Sequence, residues 1–356
     1  MNYEKVSKNK IQFLAMTGYT VEEFDELCLN FKKNWEKYMS QYTMEGKKRK
    51  KRSYTNYKNC PLRTIEDKLF FILSYLKEGS TQQYHAGSFG MRQPVANKWI
   101  HILHTVLNMT LEELEELPQR GIHDESHPQN IDQLPENTLS SANIGDENQS
   151  STAKMEEMTG NESNLGEKAS VEPTIEFSTV DGSLPIFSHD GTERPINRPK
   201  VDQKKFYSGK KKCHTVKNVL VISVICKVIF LSLTCEGKKH DKKAADEAGY
   251  GFPKGSTVYQ DTGFQGFKPE GINIEQPKKK PRGKELTEEE KKTNSEISKI
   301  RIRVEHAIGG VKRYRIVSQK NRNWKKGFRD KVMETCCGLH NFRLNFRPWK
   351  PILSGN

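Results

Sequence analysis

Three acidic residues stand where chemistry could be done: Asp190 in "HDGTERPINRP", Asp261 in "STVYQDTGFQG" and Glu305 in "RVEHAIGGVKRYRIV". Any one of them alone is unremarkable. Hard divalent cations need several oxygen ligands, and a segment rich in Lys and Arg gains little from burying carboxylates unless a metal gathers them. Two such ions can activate a water or a hydroxyl as an in-line nucleophile on a phosphodiester while stabilising the leaving oxygen. The spacing around Glu305 supports this chemistry. At about 100° per residue, Arg301, Glu305 and Lys312 point within roughly 40° of one another on a helix. That face carries cation, carboxylate, cation. An ion pair between Arg301 and Glu305 accounts for part of the pattern, at only a few tenths of a kcal/mol, and leaves Lys312 unexplained. Arg301 and Lys312 suit phosphate positioning better than proton transfer, because neither gives up its proton readily unless buried.

The charge of the whole chain bounds what such a site acts on. The 356 residues carry a formal net charge of +14, unevenly spread. Between Gln119 and Val180 twelve Asp and Glu face three Lys and Arg, so the remainder is more basic than the average. A field of that sign favours a polyanionic partner, nucleic acid or an anionic membrane surface. No basic-then-apolar leader opens the sequence, and the longest apolar run, Val219 to Leu233, is interrupted by Lys227 and too short to span a bilayer. It reads as two buried strands, and no membrane role is expected. The seven cysteines form no CxxC pair, and adjacent Cys336 and Cys337 are poorly placed to bridge, which points to a reducing compartment without structural zinc.

The elements that must position these residues are written in hydrophobic period and caps. Thr20 and Glu23 have capping-box spacing ahead of Phe24, Leu27, Phe31, Trp35 and Tyr38, which share one helical face. The run "GKKRKKR" (46–52) reads as a solvated arm. In residues 64–107, Ile65, Leu69, Ile72, Leu73 and Leu76 predict a helix stopped by Gly79. A short helix then ends at Phe89 and Gly90 with Ala86 before it, and a third begins near Pro94 with Trp99 as its anchor. A small residue where two helices cross, a glycine at the turn and apolar positions in the second helix are the writing of a helix-turn-helix. Arg92, Gln93, Asn97 and Lys98 then face outward near the start of the recognition helix. The plain alternative is a three-helix bundle. Residues 119–172 are polar, acidic and nearly free of aromatics, and predict a disordered linker. From 173 onward strand signals return: Ile186–Phe187, "CHTVKNVLVIS" beside "CKVIFLSLTCEG", a helix in "HDKKAADEAG" that Asp241 could cap, a strand ending at Asp261, a strand in "INIEQ", and a long helix from "TEEEKK". This is an α/β domain with a mixed sheet.

"DGTERPINRP", "FYSGKKKCHTVK", "YQDTGFQG" and "RVEHAIGGVKRYRIV" resemble the core of the DDE-superfamily endonucleases. More narrowly they resemble transposases of bacterial insertion sequences in the insertion-sequence-5 group, with relatives among eukaryotic Harbinger elements. The likeness covers about 185 to 347, and the 64–107 region resembles the helix-turn-helix that precedes this core in the group. The resemblance implies a ribonuclease H-like fold in which Asp190, Asp261 and Glu305 are the catalytic triad holding two Mg²⁺ or Mn²⁺ ions. Related transposases carry a Tyr, an Arg, the Glu and a Lys at fixed spacing. This chain has Arg301, Glu305 and Lys312 in those places but Ser298 where the Tyr would stand.

The expected organisation is a helical DNA-binding region over 1–118, an acidic disordered linker over 119–172 and a ribonuclease H-like catalytic domain over 173–350. The expected function is a DNA transposase that binds terminal inverted repeats, cleaves the transposon ends and joins the 3′-hydroxyls to target DNA. Its partners would be double-stranded DNA and a second copy of itself at least; it would act in the cytoplasm at the nucleoid, or in the nucleus of a eukaryote. Lys210, Lys211, Lys212 and Arg313 join Arg301 and Lys312 as expected DNA contacts, and "KKKPRG" (278–283) is a further phosphate-tracking segment. Asp181 competes with Asp190 for the first acid. Structural roles are expected for His189, His240 and His306, and Trp324 reads as a core or edge residue. Two rivals stand beside this reading. One is a catalytically inactive, domesticated DNA-binding protein descended from a transposase; the other is an RNA-processing nuclease on the same fold.

Overall fold

The computed structural model describes residues 1–50, 54–55, 59–120, 185–320, 322–323, 325 and 327–349. The acidic stretch beyond Arg120, Asp181 and Trp324 lie outside the described residues.

The N-terminal part is helical for reasons visible in its caps. Short α1 (Tyr3–Val6) and α2 (Lys10–Thr17) lead into α3 (Val21–Gln41), whose capping box is closed by Thr20 and Glu23 as the sequence predicts. Phe24, Leu27, Phe31, Trp35 and Tyr38 are all buried along it. Next come α4 (Ile65–Glu78), α5 (Gln82–Ser88) and α6 (Gln93–Glu113), the last with Pro94 in its first turn. Between α5 and α6 the chain turns through Gly90 at φ +65°, a left-handed conformation that a side chain disfavours. Ala86 is buried on α5 and Trp99 on α6.

The sheet runs in the order β1-β5-β4-β2-β7-β8. Its strands are β1 (Gln119–Arg120), β2 (Ile186–Pro195), β4 (Cys213–Ser223), β5 (Val228–Leu231), β7 (Thr257–Tyr259) and β8 (Asn273–Glu275). Short α7 (Gln203–Phe206) and β3 (Tyr207–Ser208) precede β4, and both β3 and β6 (Cys235–Glu236) pair with β4. The sheet is mixed. β2 is antiparallel to β4 from Phe187↔Ser223 to Pro195↔Thr215 and parallel to β7, which is parallel to β8. The remaining helices are α8 (Asp241–Ala248), α9 (Glu288–Lys312), α10 (Arg315–Ser318) and α11 (Phe328–Leu344). The apolar run that began as two expected strands is the β4–β5 hairpin.

Alternation along β4 sorts the core into two sides. Leu220 and Ile222 join a cluster shared with α9, α10, α11 and the N-terminal helices, whereas Val219 and Val221 join Phe187, Ala244, Ala245, Tyr250, Phe252 and Phe264 under α8. The helical part is therefore continuous with the sheet through one core. Tyr19 donates a hydrogen bond to the Leu339 carbonyl at 2.7 Å, and Arg347 grips Glu23 through two bonds of 2.8 and 2.6 Å. Gly79, which ends α4 at φ +61°, lies so close to α10 that a Cβ there would stand 2.8 Å from the Arg315 carbonyl carbon.

Two differences from the sequence reading have physical causes. Gln119 and Arg120, expected to open the linker, form β1 on the sheet edge beside Phe230 and Leu231, and Arg120 pairs with Asp330 of α11. Asp241 does not cap α8. His240 occupies the cap position without a side-chain bond, and the Asp241 carboxylate is drawn to the Lys217 ammonium at 2.7 Å. Among the described residues no helix is long and apolar enough to cross a membrane.

Candidate active site

β2 and β7 bring the first two acids together. Asp190 lies within β2, which runs on to Pro195 instead of ending before the acid as the sequence suggested. Parallel pairing sets Ser188 beside Tyr259, so Asp190 is level with Asp261, just past the end of β7. The residues immediately before the two acids are bonded to each other. His189 Nε2 and Gln260 Oε1 are 2.9 Å apart, and His189 Nδ1 is 2.8 Å from the Tyr250 hydroxyl. The amide oxygen can only accept, so Nε2 carries the proton and Nδ1 accepts from Tyr250. Burial lowers the His189 pKa to about 4, keeping the ring neutral in its aromatic surroundings. His189 is thus a structural clamp. Gln276, just past β8, donates to the Asp261 carbonyl at 2.7 Å and fixes that corner from the other side.

α9 supplies the cations. The Arg301 guanidinium is 3.5 Å from Asp261 and also acts on Asp190. Its ion pair is with Asp261 and not, as the helical spacing suggested, with Glu305. Lys312 donates to the Glu193 carbonyl at 3.2 Å, and its pKa is lowered by burial and by the nearby Lys211 and Arg194, while Asp190 and Glu193 act the other way. Lys211 comes from the exposed Lys210–Lys212 tip between β3 and β4, where Lys212 adopts φ +55°. Lys211, Lys312, Arg301, Asp190 and Asp261 therefore converge. Glu305 lies on the same helix one turn past Arg301 and is exposed; among the described residues no three acidic, histidine or cysteine side chains stand close enough together to hold a metal ion.

The electrostatics of the pair test whether a cation suits it. Burial raises the Asp190 pKa to about 6; the Gly191 amide and Arg301 oppose this, and the charges of Asp261 and Asp241 add to it. A half-buried carboxyl crowded by two others, with oxygen as its only donor type, has the chemistry of a ligand to a hard divalent cation. Asp190 and Asp261 fit such an ion as a pair. Glu305 stands outside that pair.

The other expected contacts are distributed over the surface. Arg92 and Lys98 are exposed on α6, Lys98 lying 3.6 Å from Glu45. Gln93 and Asn97 both donate to the side-chain oxygen of Gln82, at 2.7 and 3.0 Å, which fixes their orientation. Arg313 caps α9 and acts on Lys77 of the helical part, away from Asp190. A groove of about 800 Å³ runs between α4–α5 and α10, lined by Gln82, Gln93, Pro195, Arg315, Lys320 and Arg322 among others. Glu193 accepts from Thr215 at 2.9 Å, and His306 stacks on Trp349. The structural role expected of His189 is the one it has, whereas Gln260 and Asp241 were missed as parts of the site. The signal for Gln260 was adjacency, since it directly precedes an acid, as His189 does.

Comparison with known proteins finds relatives of the part of the chain that carries this site. Residues 189–341 match the family model of the DDE superfamily endonucleases. The chain is 38% identical over 157 residues to a probable transposase for insertion sequence element IS702 from Microchaete diplosiphon, covering 44% of this chain and 56% of that protein. It thus spans little more than half the length of that relative. No solved structure matches. The span from His189 to Asn341, which matches the model of the DDE superfamily endonucleases, holds Asp190, Asp261 and the α9 cations.

Proposed function

We propose that the protein is a DNA transposase of the insertion-sequence-5 type. It would bind the terminal inverted repeats of its element, cut the ends and join the 3′-hydroxyls to target DNA, with a ribonuclease H-like catalytic domain. The observation that carries this reading is the meeting of Asp190 and Asp261 at adjacent strands beneath Arg301, Lys312 and Lys211. Two carboxylates flanked by cations offer a place for a divalent ion and, around it, for the phosphates of a DNA strand.

Asp190 and Asp261 would hold Mg²⁺ or Mn²⁺, with Glu305 brought in from α9 to complete the set for a second ion. Such ions, when bound, supply a nucleophilic oxygen and stabilise the leaving one. Arg301 and Lys312 bind the phosphates on either side of the scissile bond, and Lys211 extends that grip toward the β3–β4 tip. Arg92, Gln93, Asn97 and Lys98 at the start of α6 read the repeat in the manner of a helix-turn-helix, and the groove carrying Arg315, Lys320 and Arg322 leads the duplex from α6 toward the acids. Working on two ends calls for at least a dimer on DNA. The exposed position of Glu305 favours, as a second reading, a DNA-binding descendant that no longer cleaves.

The test is a Mg²⁺-dependent nicking assay with the full chain on duplex DNA bearing the inverted repeats that flank its gene. Cleavage abolished by Asp261→Asn supports the transposase. Tight binding of the repeats without cleavage supports the descendant.

A further inference from the structure

Asp241 lies at the mouth of the site although nothing in its local sequence marks it as more than a helix residue. Its carboxylate is inserted between two glycines, one directly after Asp190 and one two residues past Asp261. A Cβ on Gly191 would stand 2.6 Å from Asp241 Oδ1, and a Cβ on Gly263 would stand 2.8 Å from Oδ2. A Cβ that close would force the carboxylate to move, so glycine at both places leaves it room where it stands. Gly191 directly follows Asp190. Gly263 is in the 3-10 turn Thr262–Phe264, two residues past Asp261. Because β7 ends at Tyr259, β2 has no parallel neighbour beyond this level, and the first turn of α8 enters the gap.

The carboxylate is held there by a nearly buried cation. Lys217, with its side chain 8% exposed, donates to Asp241 Oδ1 at 2.7 Å and to the Lys239 carbonyl at 2.7 Å. Oδ1 is thereby engaged, while Oδ2 faces the turn that follows Asp261. The negative charge of Asp241 is felt at Asp190 across the strand. His189 and Gln260 clamp the two acids from the residues before them, and Asp241 touches the chain just after each. An ordinary surface ion pair on α8 is available one turn further along, between Lys242 and Asp246 at 2.7 Å, and it touches neither glycine.

We propose that Asp241 is a positioning residue of the active site, a fourth carboxylate that sets the placement of Asp190 and Asp261 and adds negative charge for the divalent ion they bind. This rests on the reading of those two acids as metal ligands. The Asp241 carboxylate is committed to Lys217 and to the two glycine turns, which is why we assign it positioning and not ligation. Its effect reaches the ion through the two acids, as outer partners of metal ligands do.

The test is Mn²⁺ titration of the full chain by calorimetry, without DNA, so that binding is read independently of cleavage. Asp241→Asn keeps the shape of the wedge and removes its charge, and is expected to weaken Mn²⁺ binding about ten- to a hundredfold. The double variant Lys217→Met/Asp241→Asn removes both charges of the pair and guards against misfolding from an orphaned lysine; the same loss is expected. Asp246→Asn should bind Mn²⁺ as the parent does. A folded Asp241→Asn or double variant with Mn²⁺ affinity within about twofold of the parent overturns the proposal. Asp261→Asn separates this failure from that of the site: its loss of Mn²⁺ binding, with Asp241→Asn unaffected, overturns the role of Asp241 alone, whereas undiminished binding overturns the metal site and the proposal with it.

Discussion

The helical part buries a charged group, the sheet half-buries another, and they treat them in opposite ways. Lys68 of α4 is fully buried, yet its ammonium donates to the carbonyls of Leu62, Thr64 and Arg63 at 2.8, 3.2 and 3.4 Å and lies over the rings of Trp35 and Trp99. Every proton of that cation has a partner, and two aromatic faces add their attraction. Asp190 of β2 accepts one hydrogen bond from the Gly191 amide and meets two further carboxylates. A charge that folding satisfies stabilises the fold. A charge left short of partners is held by the surrounding structure for something that arrives later.

Asp190→Asn breaks the comparison most severely. The amide keeps the shape and loses the ligand charge, so cleavage should fall on the order of a thousandfold. In metal-free buffer at pH 7.5 the same change should raise stability by about 1–3 kcal/mol, because a carboxyl whose pKa is pushed up to about 6 is strained when ionised. Denaturant unfolding beside a nicking assay reads both signs. Equal or lower stability would show that Asp190 is as well satisfied as Lys68.

Lys68→Met tests the other side. The methylene stem is nearly preserved, but three carbonyls lose their donor in a dry interior, and a destabilisation of about 1–3 kcal/mol is expected with DNA cleavage unchanged. A neutral or stabilising result would show that the buried ammonium is tolerated and not used.

How much of this was legible depends on whether the cause is local. The helices were, because caps and apolar period are local: Thr20 with Glu23 and Thr287 with Glu290 both close capping boxes, and Pro94 opens α6. The β4–β5 hairpin followed from its apolar run. Asp190 and Asp261 could be named from the blocks around them, and the structure sets them level. What could not be read was determined by contacts between distant segments. Arg301 turned to Asp261 and not to Glu305 because β7 ends beside α9, and Asp241 gained its place from glycines 50 and 22 residues away in the chain. Nor does any local pattern in "EDKLFF" announce a buried lysine, since the tryptophans that cover it stand on α3 and α6.

The Lys210–Lys212 tip extends the contrast to the surface. These lysines are exposed and free to meet phosphates, whereas Lys68 is sealed. Replacing all three with Ala should flatten the dependence of log K on log salt by about 2 to 3 and weaken DNA binding without regard to sequence, because each phosphate contact contributes a slope near 0.9. Stability should stay within about 0.5 kcal/mol of the parent. Filter binding at several salt concentrations measures the slope.

The smallest effect is one of pH, where the buried histidines of both regions and Asp190 should pull in opposite directions. Burial lowers the pKa of His85, His101, His189 and His340 to about 4 and of His104 to about 3, all below the ordinary 6.5. Between pH 6.5 and those values the unfolded chain binds more protons than the folded one, so the stability these histidines contribute is complete above 6.5 and lost as pH falls. Asp190 has the reverse sign. Its folded pKa is raised from 3.8 to about 6, so within that window the folded protein binds the extra proton and acidification favours it. Five histidines outweigh one carboxyl, and the thermal midpoint should fall from pH 7 to pH 5. In Asp190→Asn the opposing contribution is gone, and the fall should be steeper by a few degrees. Parallel thermal scans of the two proteins at both pH values decide it: identical slopes would mean that Asp190 takes up no proton in this range and that its neighbours already satisfy its charge.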